Sequence, residues 1–281
     1  MRMILLTGAT GFVGRQVLRA LSKCNVHVRA VVRTGNEQKL AEQPAVESIV
    51  TTVDLFAENS DWWAEACNGI DTIIHVAWYT EADKYLLSPK NIDCLVGTLN
   101  IAVGAARAKV RRFVGIGSCA EYDQTEGNLS VETSLRPQTP YAGAKAAAFM
   151  ALLQYLPRQE VEFAWCRLFY LFGEGEDERR LVPYLRRQLA AGKIAELTGG
   201  KQIRDFLDVS DAGRMIVEAA LNNQQGAINI CSEIPISVRQ LAEQIADSYG
   251  RQDLLRFGTR PDNQFDPPRV VGIRSKKSHA C

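Results

Sequence analysis

Short β-branched runs alternate with longer amphipathic stretches over the first 170 residues of the chain. The runs are "MILL" from Met3, "VHVRAVV" from Val26, "VESIVTTV" from Val46, "DTIIHVA" from Asp71, "RRFVGIG" from Arg111 and "VEFAWCRL" from Val161. Each is short, apolar and bounded by polar or glycine-containing segments, which predicts buried strands. Between them Val13, Val17, Leu18 and Leu21 form one stripe at helical spacing, and Leu95, Leu99, Ala102, Val103 and Ala106 form another. Strands alternating with helices predict right-handed crossovers and an α/β fold, a doubly wound parallel sheet covered on both faces. Ligands of such sheets sit beyond the carboxyl ends of the strands. After residue 170 the pattern loosens, with helices expected near 178–191, 210–221 and 237–249. That remainder is too small for an independent core, so it is expected to form a smaller C-terminal lobe closing over the sheet.

The first turn carries the first chemical signal. "LLTGATGFVG" places Gly8, Gly11 and Gly14 directly after an apolar run and before a helical stripe. Bare amides gathered at a helix N-terminus suit a pyrophosphate, and glycine lets it approach. The spacing is G-x-x-G-x-x-G rather than the usual G-x-G-x-x-G dinucleotide fingerprint. About twenty residues on, where an NAD site holds an acid for the ribose 2′-hydroxyl, "AVVRTGN" has Arg33. Arginine is the natural fork for a 2′-phosphate, so NADP(H) is favoured, with NAD(H) the alternative.

A second signal is "TPYAGAK", where Tyr141 and Lys145 lie four apart on one helical face behind Thr139 and Pro140 as N-cap and first helical residue. A nearby ammonium is expected to lower the tyrosine pKa and make it a usable acid or base. Ser118, at the end of the fifth predicted strand in "IGSCAEY", would deliver a hydroxyl to the same crevice. His75 reads as a packed, hydrogen-bonded core histidine, and Trp62 and Trp63 as helix-to-sheet packing.

These segments together resemble the extended short-chain dehydrogenases/reductases of the NAD-dependent epimerase/dehydratase family. The resemblance runs through "TGATGFVG", "VDL" with Asp54, "HVAW" with His75 and Ala77, "NIDCLVGTLNIAVGAA", "GSCAEY", "YAGAK", "RLFYLFGEGE" and "IRDFLDVSDAG". It implies a Rossmann-type unit over residues 1–166 and about 204–230, and a substrate-binding lobe over about 167–203 and 231–281. It implies a catalytic triad of Ser118, Tyr141 and Lys145. For the cofactor it implies Gly8, Thr10, Gly11, Phe12, Val13, Gly14, Asp54, Leu55, Ala77 and Lys145, joined by Arg33. For a nucleotide diphosphate sugar substrate it implies Ser118, Cys119, Tyr141, Tyr170, Arg204 and Arg260, with Arg269 as a further partner.

Family dehydratases carry an aspartate–glutamate pair after the catalytic residue; here the positions are Cys119 and Ala120, which argues against elimination of water. The segments look most like reductases of nucleotide-linked 4-keto-6-deoxyhexoses. A 4-epimerase of the same family is the alternative, and a non-catalytic cofactor-binding or scaffolding member is the alternative of another class. The resemblance further implies a homodimer packed through residues 89–108 and 140–157.

Composition narrows the partners. The 281 residues are 46% hydrophobic and carry a net charge of +1, so no global field draws the chain to nucleic acid or an anionic membrane. Seven scattered cysteines without C-x-x-C spacing and the lack of a signal peptide or long apolar span read as reduced thiols in the cytoplasm. No metal site is expected.

Overall fold

The β-branched runs pair side by side. The computed structural model describes residues 2–261 and 266–274. Its first half contains β1 (Arg2–Thr7), α1 (Phe12–Leu21), β2 (Val26–Arg33), β3 (Val46–Thr52), α2 (Ser60–Ala66), β4 (Thr72–His75), α3 (Lys90–Arg107), β5 (Arg112–Ser118), β6 (Asn128–Leu129) and α4 (Pro140–Tyr155). Then follow β7 (Glu162–Leu168), β8 (Tyr170–Phe172), α5 (Leu181–Ala190), β9 (Ala195–Glu196), β10 (Ile203–Asp208), α6 (Val209–Leu221) and β11 (Gly226–Ile230). β12 (Pro235–Ser237), α7 (Val238–Ser248), β13 (Leu255–Arg256) and β14 (Arg269–Gly272) close the order.

Seven strands form one parallel sheet in the order β11-β7-β5-β4-β1-β2-β3. The chain winds outward from β1 through β2 to β3, then returns to lay β4 on the other side of β1. The carboxyl ends of β1 and β4 therefore flank the switch point, where a crevice opens. Six of the seven strands are the six runs read from the pattern. The seventh, β11, was not: "GAINI" is short, and only its pairing with β7 from Gly226↔Ala164 to Ile230↔Leu168 makes it a strand.

Both faces of the sheet are covered, which is why its strands read as near-continuous apolar runs. On one face Ile4, Leu6, Val28 and Val114 pack with Val17 and Leu21 of α1 and Ile216 of α6. On the other, Leu5, Ile73, Phe113 and Trp165 pack with Ile101 of α3 and Leu152 of α4. Trp63 of α2 is fully buried in that second layer with its ring edge-on to Trp62, the packing role expected of the pair.

The expected helices after residue 170 are α5, α6 and α7. With them go strands that periodicity did not disclose: β12-β10-β14-β6 form a small sheet, with β8 also pairing β10, and β13 pairs β9. Asp205 on β10 ties this region together. It is fully buried and accepts from the backbone amides of Ser232, Glu233 and Gly272 and from the Ser232 hydroxyl. Among the described residues six cysteines are free thiols; Cys281 lies outside them. No helix among them is long and apolar enough to cross a membrane.

Candidate active site

The glycine turn is built by close approach. Gly8 has φ +74°, and a Cβ there would lie 2.7 Å from the backbone nitrogen of Ala77; one on Gly14 would lie 1.9 Å from the Gly8 carbonyl oxygen. The turn thus seats against the strand end of β4 and lets α1 start at once. Gly11 is the N-cap and supplies no side-chain cap to the helix amides. A Cβ on Gly11 would meet only the Gly8 oxygen, at 3.3 Å, so the space beside the turn is open. This bare cradle fits the pyrophosphate of a dinucleotide.

Other expected cofactor residues surround it. Ala77 donates its amide to the Thr7 hydroxyl at 3.2 Å. Asp54 is exposed and caps the following turn by accepting from the Phe56 amide at 3.0 Å, while Leu55 packs against the α3 side of the core. Phe12 and Val13 begin α1. Arg33 ends β2 exposed, and its side chain has no partner among the described residues. A neighbouring cleft of about 340 Å³ is lined by Thr10, Arg15, Arg19, Lys39 and Gln43 among others. Arg33 does not line it, and its cations were not anticipated from the sequence. Arg19 is paired with Glu174.

α4 begins as expected. Thr139 accepts from the Ala142 amide at 3.2 Å, and Pro140 is the first helical residue. The spacing turns Tyr141 and Lys145 toward the end of β5, where Ser118 stands. Burial, reinforced by Tyr85, drives the Tyr141 pKa upward, and hydrogen bonding from Ser118 opposes the rise. The expected lowering by Lys145 is not what the chain produces. The ammonium instead donates to the Ile116 carbonyl oxygen at 2.6 Å and lies over the Trp78 ring. Burial also lowers Lys145 to about 7, against the charges of Glu121 and Cys94. Tyr141 is therefore a neutral phenol, the proton-donating form.

Beside this group sits a residue whose role the sequence reading missed. Glu121 is fully buried and its carboxylate accepts from the Ser118 amide at 2.7 Å, from Trp165 Nε1 at 3.0 Å and from Arg167 Nε at 2.7 Å. The Arg167 guanidinium is sandwiched between the rings of Tyr122 and Phe149, each at 4.4 Å. Ser118 returns the bond by capping the turn at Ala120. The signal was present: Ser118 and Glu121 have the S-x-x-E spacing of a capping box. Trp78 and Tyr85 were missed as well. Their rings meet Tyr141 edge-on, with centroids 6.4 and 4.8 Å away.

The expected substrate residues divide. Cys119 is buried and its thiol is pushed up to about 12 by burial, with Arg204 the strongest opposing charge. Arg204 is buried, stacks on Tyr170 at 5.1 Å and pairs with Asp266 at 2.5 Å. Arg260 is exposed and lies over Tyr184 of α5 at 4.6 Å; none of its described contacts joins it to Arg204 or Tyr141. Arg269 donates to Asn128 at 2.9 Å.

The model of the NAD dependent epimerase/dehydratase family matches residues 4–231. The chain belongs to that family. It is 22% identical over 273 residues to a dTDP-6-deoxy-L-talose 4-dehydrogenase (NAD(+)) of Aggregatibacter actinomycetemcomitans, covering 96% of this chain and 99% of the relative. A UDP-N-acetylglucosamine 4-epimerase from Methanobrevibacter ruminantium M1 superposes with a TM-score of 0.84 at 19% identity, covering 98% of this chain and 90% of that one. The dTDP-glucose 4,6-dehydratase DesIV of Streptomyces venezuelae, solved with NAD bound, gives 0.82 at 22% identity, covering 97% and 88%. The doubly wound family fold expected from the pattern is the one these neighbours share.

His75 carries a prediction of its own. It is buried between two hydroxyls, Thr7 at 2.8 Å from Nδ1 and Thr98 at 2.9 Å from Nε2. Thr98 donates to the Cys94 carbonyl oxygen at 2.7 Å, so it accepts from Nε2–H, and Thr7 donates to Nδ1. The network holds a neutral ring, and burial lowers the pKa to about 3. The unfolded histidine binds its proton near pH 6.5, so this contribution to stability is fully present above that pH and is lost as pH falls toward 3. The loss is roughly 1.4 kcal/mol per pH unit across that window. Urea unfolding of wild type and His75→Gln at pH 7 and pH 4.5 should show the smaller acid-induced loss in the variant; equal losses would refute the assignment.

Proposed function

We propose that this protein is a nicotinamide-dependent reductase of a nucleotide diphosphate 4-keto-6-deoxyhexose. The observation that carries the reading is the protonation chemistry around Ser118. Tyr141 is held as a neutral phenol, the form that carries a proton for a carbonyl oxygen, and the Ser118 hydroxyl beside it would hydrogen-bond the charge that develops there. Glu121, the carboxylate next to Ser118, is consumed by three donors. It is not free to take a proton from a sugar carbon, so the site is equipped for ketone reduction rather than loss of water.

The glycine cradle and the exposed Arg33 fit a cofactor whose 2′-phosphate meets the arginine, and such a cofactor supplies hydride when bound. NADP(H) is the favoured form. Lys145 reaches the same crevice and would hold ribose hydroxyls, with Gly8, Thr10, Gly11, Phe12, Val13, Gly14, Asp54, Leu55 and Ala77 around the rest. Arg204 and Tyr170 would face the sugar nucleotide with Cys119, and Arg260, beyond β13, would join them. The named activity of the Aggregatibacter relative, written in reverse, is a 4-keto reduction. We assign cofactor binding to residues 1–166 and about 204–230, the substrate lobe to the rest, and the cytoplasm as the compartment.

Association follows from α3 and α4. Ile92 and Val96 on α3 and Met150 on α4 are at least half exposed, and Leu87 just before α3 is 74% exposed. This apolar strip matches the two segments expected to pack as a four-helix bundle, so we assign a homodimer.

Three measurements test these statements. Tyr141→Phe removes only the hydroxyl; fold and cofactor binding should persist while NADPH oxidation with a nucleotide-linked 4-keto-6-deoxyhexose falls by about two to four orders of magnitude. Near-normal turnover would sink the assignment, and interconversion of 4-hydroxyl epimers without net cofactor change would establish an epimerase instead. In fluorescence titrations NADPH should bind about ten- to a hundredfold more tightly than NADH, the worth of a charge-assisted hydrogen bond. Arg33→Ala should erode that ratio and spare NADH; equal affinities in the wild type contradict it. In sedimentation the wild type should run as twice 31.1 kDa and Val96→Asp as the single chain; a monomeric wild type at micromolar concentration would exclude the dimer.

A further inference from the structure

Trp78 lies just beyond β4, against the first turn of α3 and the start of α4. Its Nε1–H donates to Asn91 Oδ1 at 2.9 Å. Asn91, in the first turn of α3, is fully buried, and its amide nitrogen donates to the carbonyl oxygens of Tyr85 at 2.6 Å and Ser88 at 2.9 Å. One donor and two acceptors around the amide leave it a single orientation. A single side chain thus locks both the indole and the turn that carries Tyr85.

The locked indole is placed where it matters. Lys145 Nζ lies 3.6 Å from its centroid, the Tyr141 ring stands edge-on to it at 86°, and Phe56 braces it at 71°. Lys145 has three N–H groups; the carbonyl oxygen of Ile116 takes one, and the indole face attracts the charge. Charged and titratable groups also face Lys145 from every element around it: Glu121 after β5, Cys94 on α3 and the neutral His75 on β4. None of these gives the ammonium a direction; the carbonyl and the ring do. Trp78 itself is only half-buried, so its size is not explained by filling the core.

We propose that Trp78, locked by Asn91, is a positioning residue that holds the Lys145 ammonium and the Tyr141 ring in one geometry for proton delivery. The proposal rests on the reading of Tyr141 and Lys145 given above. With a small aliphatic residue at 78, the lysine would regain rotamers and meet water.

Wild type, Trp78→Phe and Trp78→Leu are compared in two ways. The first is ¹³C NMR of the lysine Cε signals across pH with neither cofactor nor substrate present, Lys145→Met providing the assignment. The Lys145 signal should titrate near pH 7 in the wild type, move upward in Trp78→Leu as water relieves its burial, and stay close to wild type in Trp78→Phe, which keeps a ring face. The second is kcat and KM against pH with a nucleotide-linked keto-sugar. Trp78→Leu should lose about ten- to a hundredfold in kcat, the scale of a misplaced catalytic group, with KM little changed and the pH profile displaced; Trp78→Phe should recover most of the loss.

An unmoved Lys145 titration in folded Trp78→Leu overturns the proposal, as does an equal kcat loss in the Phe and Leu variants. Trp78→Met replaces Trp78→Leu if the latter does not fold. The NMR comparison needs no turnover. A wild type inactive on every nucleotide sugar would therefore defeat the functional reading, while the Lys145 titration still decides the role of Trp78.

Discussion

A carboxylate buried just beyond the end of β5 and paired with a guanidinium is the constraint around which the rest is arranged. Glu121 is 0% exposed and the Arg167 side chain 1%. Two ions taken out of water are tolerated only with close pairing and additional hydrogen bonds. Here the bonds come from the Ser118 amide and the Trp165 indole, and two aromatic rings face the guanidinium. Arg167 Nη2 has no hydrogen-bond partner, so the ring faces of Tyr122 and Phe149 carry part of what an acceptor would supply. Removing one member would strand the other at a cost of about 3–5 kcal/mol. The pair therefore commits β5, β7 and α4 to one arrangement, and with it the position of Ser118.

The same arrangement explains why the site is dry and aromatic. Trp165 sits so close under β5 that a Cβ on Gly115 or Gly117 would overlap its ring. Lys145 is 3% exposed between that ring and Trp78. Burial then sets the protonation states. It raises the tyrosine, lowers the lysine and keeps His75 neutral, each by penalising the charged form. A phenol that keeps its proton and a lysine of lowered pKa follow from a low-dielectric pocket rather than from a direct tyrosine–lysine pair.

Much of this was legible from the chain. β-branched runs separated by helical stripes required a parallel sheet, because strands apolar on both faces need covering on both faces. Thr139-Pro140 marked the start of α4, and the four-residue interval then had to put Tyr141 and Lys145 on one side of it. The glycines of the first turn were readable because each absent Cβ answers to a specific backbone approach. The small sheet of β6, β10, β12 and β14 was not readable. Its strands are two to six residues long, and what holds them is partner strands and the buried Asp205, both far away in sequence.

The division has a physical basis. Local order, meaning element type, helix starts and the spacing of side chains on one face, depends on neighbours within a few residues, and the sequence by itself determined it for the six long strands of the first 170 residues, the helices between them and the three later helices. Protonation and orientation depend on burial and on partners 13 to 46 residues away, such as Asn91 for Trp78, Ile116 for Lys145 and Arg167 for Glu121. Those quantities exist only once the chain has excluded water. Tertiary structure alone therefore decided that Glu121 is a structural anchor, that Lys145 turns to a carbonyl and an indole, and that Tyr141 keeps its proton.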